Sequence, residues 1–262
     1  MLNPAKLGSQ SDQRVALVTG GARGIGLEIV RRFLVDGYRV AFVATKADHV
    51  DRALTLLGCP EEQVYAERID VTRHNDVQGF VEHVRERWGE IEILVNNAGI
   101  SPKRVDQNAP WLSQTSLDEW ARVIDVNLSG AFILIRLLAP AMIAKGNGRI
   151  INVGSLAGRA VPLIAGPHYA ASKAGLVGLT RAAARDLAPY GITVNCIAPG
   201  RILSDLTGPP EAAVNLAALS RIPVGRFGTA EEVAHVISFL ASPMAGFITG
   251  ATIDITGGEF AA

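Results

Sequence analysis

Short continuous apolar runs alternate along this chain with stretches whose apolar residues fall three and four apart. Arg14 to Thr19 is such a run and predicts a buried strand. It leads through a glycine-rich turn into a helical pattern from Leu27 to Asp36, closed by Gly37. Arg39 to Ala44 predicts a second strand, and Ala47 to Leu57 a helix. Gln63 to Ile69 predicts a third strand, followed by a helix from Asp76 to Trp88 with Val77, Phe80, Val81 and Val84 on one face. Further strands are predicted at Glu92 to Val95, Arg149 to Gly154, Gly191 to Ala198 and Ala251 to Thr256. Strands and helices alternating at this rhythm give an α/β fold: a doubly wound parallel sheet of about seven strands, right-handed crossovers, helices on both faces. With no internal repeat or break in composition, residues 14–262 are expected to form one domain behind a loose leader of residues 1–13.

Between the fourth and fifth strands, Ile100 to Ser116 is a polar, proline-bearing loop containing Trp111. Ser116-x-x-Glu119 then has the form of a capping box, opening a long helix that runs towards Lys145, with Pro140 expected to kink or nearly end it. Asn127 falls inside that helix, either facing solvent or buried and hydrogen-bonded among its apolar flanks. Another helix carries Tyr169 and Lys173, and Thr229-x-x-Glu232 caps one more. Arg201 to Ile222 lacks a clear period yet holds Ile202, Leu203, Leu206, Val214, Leu216 and Leu219. It reads as a lid over a substrate or as a segment covered by another subunit.

Composition narrows the function classes. Twenty-five basic residues balance 25 acidic ones, which argues against a nucleic-acid footprint or a polybasic membrane patch. No apolar run reads as long enough to span a bilayer. The two cysteines, Cys59 and Cys196, lack metal-type spacing and read as reduced thiols of a cytoplasmic protein. The five histidines form no ligand cluster, so no metal site is expected.

In an open α/β sheet, ligands sit outside the carboxyl ends of the strands. Three turns fall there: Gly20 to Gly26, Asp70-Val71, and Asn97-Ala98-Gly99. The first joins a strand to a helix N-terminus, an arrangement that brings bare backbone N–H groups to a pyrophosphate, although its glycines do not have GxGxxG spacing. Tyr169 and Lys173 lie four apart on a helix and so share a face. An ammonium beside a phenol is expected to lower the phenol's pKa and fit it for proton transfer. Ser155, closing the fifth strand, would present its hydroxyl beside that phenol.

From Arg14 onwards the chain resembles the short-chain dehydrogenase/reductase family. The resemblance rests on Thr19-Gly-Gly-Ala-Arg-Gly-Ile-Gly26, Asp70-Val71, Asn96-Asn-Ala-Gly99, Asn127, Ser155, Tyr169-x-x-x-Lys173 and Pro199-Gly200. It implies a Rossmann-like fold, a nicotinamide dinucleotide and hydride exchange between a carbonyl and an alcohol. It also implies that Ser155 polarises the carbonyl, Tyr169 exchanges the proton, Lys173 tunes the tyrosine and holds ribose hydroxyls, and Asn127 holds a relaying water. Gly20, Arg23, Gly24, Ile25, Gly26 and Asn97 to Gly99 would meet phosphates and ribose, and Asp70-Val71 the adenine. Pro199, Gly200, Ile202 and Ser204 would meet the nicotinamide end.

The resemblance is nearest to 3-ketoacyl-carrier-protein reductases and carbonyl reductases shaped like them, with two departures. Gly146 and Tyr190 stand where those reductases carry basic residues that dock the acidic carrier, and the loop from Ser101 to Leu112 is longer. Both favour a small carbonyl or alcohol substrate and make a carrier protein an unexpected partner. An NAD-dependent sugar, polyol or secondary-alcohol dehydrogenase is the competing enzyme, and a silent dinucleotide sensor the competing non-enzyme. Apolar residues on several faces of the long helix and the Tyr169 helix point to a homotetramer. The second strand ends at Thr45-Lys46 rather than at the acid that an NAD site uses, and Arg23 adds a cation in the turn. NADPH is therefore the expected cofactor over NADH, with Asp48 the residue that argues the other way.

Overall fold

The computed structural model describes residues 13–103, 109–203 and 207–261. Seven strands form one parallel sheet: β1 (Val15–Thr19), β2 (Arg39–Ala44), β3 (Val64–Arg68), β4 (Ile91–Asn96), β5 (Gly148–Val153), β6 (Ile192–Pro199) and β7 (Thr252–Ile255). Their order is β3-β2-β1-β4-β5-β6-β7. The chain winds outward from β1 in one direction, returns to β4, and winds outward in the other. The switch point therefore lies between β1 and β4, where such sheets bind their ligands.

Neighbouring residues of one strand serve opposite faces. Leu17 packs into one core with Phe80, Val84, Leu134, Leu138 and Met142. Ala16 and Val18 pack into the other with Ile29, Phe33, Val233 and Ile237. Burial on both faces accounts for continuous apolar strands rather than alternating ones. The helices that cover the sheet are α1 (Gly24–Val35), α2 (Ala47–Leu57), α3 (His74–Trp88), α4 (Leu117–Ile124), α5 (Gly130–Lys145), α6 (Pro167–Leu187), α7 (Ala213–Leu219) and α8 (Ala230–Ala241).

Several expectations change. α4 and α5 form one rod joined through a π-helical turn, Asp125–Ser129, in which Gly130 N–H bonds to Asp125 O. Pro140 does not stop the rod: it lies on the exposed side, and the helix ends only at Gly146 (φ +67°). The Ser116 box is half made, because its hydroxyl accepts from Glu119 N–H while the Glu119 carboxylate turns to His168. The Thr229 box is complete. At 29 residues, with a mean hydropathy of 1.8 in its most apolar window, the rod Leu117–Lys145 is long and apolar enough to cross a membrane. That corrects the expectation drawn from the sequence, but Leu134, Leu138 and Met142 bury it against the sheet as a core helix. The presumed irregular stretch 201–222 contains α7, pinned by the buried Asn215, which bonds Arg201, Thr207 O and Pro209 O.

Candidate active site

At the switch point, Gly20 (φ +66°) and Gly24 (φ +53°) take backbone conformations that favour glycine. Gly26 is needed for space: a Cβ there would lie 2.0 Å from Gly20 O and 2.6 Å from Asn97 Nδ2. The turn is braced from the next strand, since Asn97 Nδ2 donates to Thr19 O (3.0 Å) and Gly20 O (3.1 Å). Thr19 Oγ1 in turn accepts from the Asn97 and Ala98 N–H groups. The result is a rigid bare-backbone cradle at the N-terminus of α1, which suits the pyrophosphate of a dinucleotide. Gly26→Ala is expected to force this turn apart, at a cost of about 1–3 kcal/mol. Thermal melts with and without a nicotinamide dinucleotide check it: the variant should lose stability and most of any stabilisation by the dinucleotide.

A cleft of about 930 Å³ opens beside the cradle. Gly20, Arg23, Gly24, Ile25, Gly26, Thr45, Lys46, Asp70, Val71, Asn97, Ala98, Gly99, Ser155, Tyr169, Lys173, Pro199, Gly200 and Ile202 all line it. Ser204 lies outside the described residues. Asn127 is the exception among the residues singled out from sequence. It is buried behind the cleft wall, where Oδ1 accepts from Ile100 N–H (2.8 Å) and Nδ2 donates to Ile100 O (3.0 Å) and Ser172 Oγ (3.0 Å). The π-helical turn is what places it there. Its amide and the Lys173 ammonium meet across Gly99, whose missing side chain would lie 3.5 Å from Asn127 Oδ1 and 3.4 Å from Lys173 Nζ.

Ser155 caps a short 3-10 turn after β5, accepting from Ala157 N–H (3.1 Å), and its hydroxyl also bonds the Tyr169 phenol. Lys173 is buried, donates to Val153 O (2.7 Å), and places Nζ 5.6 Å from the Tyr169 ring centre. The electrostatics differ from the sequence expectation. Burial pushes the phenol up from its ordinary value, opposed by the Ser155 hydrogen bond, so Lys173 does not depress it here. Burial also pulls the Lys173 ammonium down to about 8. Desolvation outweighs pairing because the ammonium points to a carbonyl rather than to the phenolic oxygen.

Other groups in the site were not singled out from the sequence. His49, one turn into α2, lines the cleft beside Lys46, whereas Asp48 is not part of the lining and has His49 as its 4.0 Å neighbour. Arg122 on α4 clamps Asp70 (2.9 Å), and Thr72 N–H and Oγ1 hold the same carboxylate. Those contacts keep Asp70 below the usual carboxylate range against the opposing effect of burial. His168, immediately before Tyr169, accepts from Tyr169 N–H and binds Glu119 (2.7 Å), tying the start of α6 to α4. Helical spacing puts His168 and Tyr169 on different faces, so the sequence carried no signal for this brace. Among the described residues no group of His, Cys, Asp or Glu has the clustering of a metal site.

A glycine cradle at the switch point, facing a serine, a tyrosine and a lysine, is the arrangement of a dinucleotide-dependent oxidoreductase. Residues 20–259 match the profile described as enoyl-(acyl carrier protein) reductase. The chain belongs to the short-chain dehydrogenase/reductase family, whose members use a nicotinamide dinucleotide. It is 37% identical to the 3-oxoacyl-acyl-carrier-protein reductase FabG of Staphylococcus epidermidis over 94% of this chain and 98% of that one. The same identity holds for FabG of Salmonella typhimurium, over 94% and 97%. A crystal structure of a 3-oxoacyl-acyl-carrier-protein reductase from Brucella melitensis superposes with a TM-score of 0.90 at 33% identity, covering 100% of this chain and 99% of that one. A second Brucella melitensis reductase, with bound NAD, gives 0.87 at 34% identity with the same coverage.

Proposed function

We propose that this oxidoreductase reduces a small ketone or aldehyde to an alcohol with NADPH, and that Tyr169 supplies the proton. The observation that carries this reading is the convergence of Ser155, Tyr169 and Lys173 in the cleft that also holds the glycine cradle. The dinucleotide supplies the hydride when bound. The cradle at Gly20 to Gly26, the Asn97 to Gly99 turn and Pro199 to Ile202 would hold it, and Lys173 is placed to reach its ribose hydroxyls. Ser155 Oγ would donate to the substrate oxygen and polarise the carbonyl. As hydride adds to the carbonyl carbon, the oxygen takes the phenolic proton, leaving C–OH and a phenolate for Lys173 to stabilise and reprotonate. A phenol held above its ordinary pKa stays protonated at neutral pH, which is the form reduction requires. Asn127 acts behind this set, fixing the Ile100 backbone and standing next to the lysine.

NADPH preference follows from the rim at the end of β2. Thr45, Lys46 and Arg23 are exposed there and can meet a 2′-phosphate, and Asp48 does not line the cleft. The bound NAD in one Brucella reductase favours the other cofactor, so the choice is testable. Wild type should have the higher kcat/KM with NADPH, and Thr45→Asp should move preference towards NADH by at least about tenfold. Equal or better efficiency with NADH in wild type contradicts it.

The relatives' names favour a carrier-bound 3-oxoacyl thioester, but the surface that would meet an acidic carrier lacks charge at two places. Gly146 caps α5, and the half-exposed Tyr190 lies one residue before Gly191, which abuts Gly146 O. Efficiency should therefore be similar for a carrier-bound thioester and its small analogue. A homotetramer is also proposed, on narrower grounds than the sequence offered. Ala131, Leu134, Leu138, Leu176 and Val177 are buried within the chain, whereas Leu117, Trp120 and Phe132 on the α4–α5 rod are exposed. Light scattering near 27.7 kDa, the mass of one chain, would contradict it.

A further inference from the structure

The cleft that holds Ser155 and Tyr169 has a further wall in which Lys103, Arg201, Arg221 and Glu259 lie close enough to act on one another. Among the described residues of that wall, three cations face one carboxylate. Arg221 takes the carboxylate, with Nε 3.1 Å from Glu259 Oε1. Arg201 follows Pro199-Gly200 and is half-buried; it donates to Asn215 Oδ1 (2.7 Å from Nε) and Thr207 O (3.2 Å from Nη2). Lys103 donates to Ile164 O. These acceptors are neutral, so neither charge is compensated by an ion pair among the described residues.

The like charges are close enough to act on one another. Burial, and then the nearby Arg201, pull the Lys103 pKa down. Burial pulls Arg201 down as well, with Glu259 and Arg221 acting in opposite directions on it. Lys103 is exposed and Arg201 half-buried, and with one carboxylate among three cations an arriving anion would offset the repulsion that remains and part of the hydration Arg201 has lost. A guanidinium already fixed by its neighbours also presents its remaining N–H groups in a set direction.

We propose that this wall of the cleft receives an oxyanion carried by the substrate, a carboxylate in the simplest case, so that the molecule reduced is an oxo acid. The proposal rests on the carbonyl-reductase reading above and names the substrate class for that site. Lys103 and Arg201 are the specificity-determining residues, and Glu259 opposes them. It also accounts for a site that needs no carrier, because a thioester has no charge beside its carbonyl.

The test compares kcat/KM, with NADPH, for 3-oxobutanoate and 4-oxopentanoate against their methyl esters. At low salt the better acid should exceed its ester by at least about tenfold, the scale of one charge-assisted contact, and the margin should narrow in about 0.5 M salt. Lys103→Gln and Arg201→Gln should each lower the acid-to-ester ratio, and Glu259→Gln should raise it. Arg201→Gln also releases Asn215, whereas Lys103→Gln gives up a single carbonyl contact, so the latter stands if the former misfolds. Esters reduced as well as both acids by wild type would overturn the proposal. So would variants that leave the ratio unchanged while weakening NADPH binding by fluorescence titration, because the cations would then serve the dinucleotide. Failure of the underlying reading looks different: no acid, ester or other ketone would consume NADPH.

Discussion

Tyr169→Phe is expected to lower kcat for ketone reduction by about 10²–10⁴-fold, the usual contribution of a positioned general acid, while NADPH still binds. The variant keeps the ring in the cleft and removes only the hydroxyl that Ser155 bonds. Nothing else described is placed to replace it: Lys173 Nζ is turned to Val153 O, and Asn127 is buried behind Gly99. The raised phenol pKa gives the reaction a pH signature. Wild-type reduction should stay level through neutral pH and decline only in the alkaline range, where the phenol ionises. The reverse oxidation needs the phenolate and should climb with pH over the same range. Stopped-flow single turnovers check both statements without interference from product release.

Lys173→Met should separate activity from stability. The ammonium is buried and its pKa falls from 10.5 to about 8, so the unfolded chain binds that proton more readily than the folded one. Stability contributed by the neutral lysine therefore rises with pH between about 8 and 10.5, and below about 8 the full penalty applies. That penalty amounts to about 3 kcal/mol at neutral pH. Methionine removes it but leaves Val153 O without its 2.7 Å donor, at a cost of about 1–3 kcal/mol. The apoprotein should therefore hold its stability or gain up to about 2 kcal/mol, although one of the three site residues has gone. Activity should fall at least about a hundredfold, because the phenolate loses its neighbouring cation. Urea unfolding at pH 7 and pH 9.5 tests the first half: the stability margin of Lys173→Met over wild type should shrink at the higher pH.

The α/β order was legible because burial on both sheet faces leaves continuous apolar strands, and the helices between them keep a 3.6-residue period. β2 and α2 coincide with their expected limits, and the other strands differ by one residue at one or both ends. Pro140 does not end the rod, because a proline disrupts a helix less when its side of the rod faces solvent. The stretch 201–222 hid a helix of seven residues, too short for its period to stand out from the loop. In the site, Tyr169 and Lys173 follow from helical spacing, and the glycine turn follows from its place between a strand and a helix. The direction of the phenol's pKa shift did not follow. Spacing places two groups on one face but says nothing of how deeply each is buried or which way the ammonium points. Arg201, Arg221 and Glu259 come together only when the loop after β6 folds back over the chain's end, a contact with no local sequence signal.

The central claim is that this cleft passes hydride to a carbonyl carbon and a proton from Tyr169 to its oxygen. The most direct measurement follows NADPH carrying deuterium at both C4 positions during reduction of a ketone by wild type and by Tyr169→Phe. The account predicts one deuterium on the carbinol carbon for each NADPH consumed by wild type, and almost no alcohol from the variant although it binds NADPH. NADPH consumed without deuterated alcohol, or a variant that forms alcohol at the wild-type rate, would contradict it.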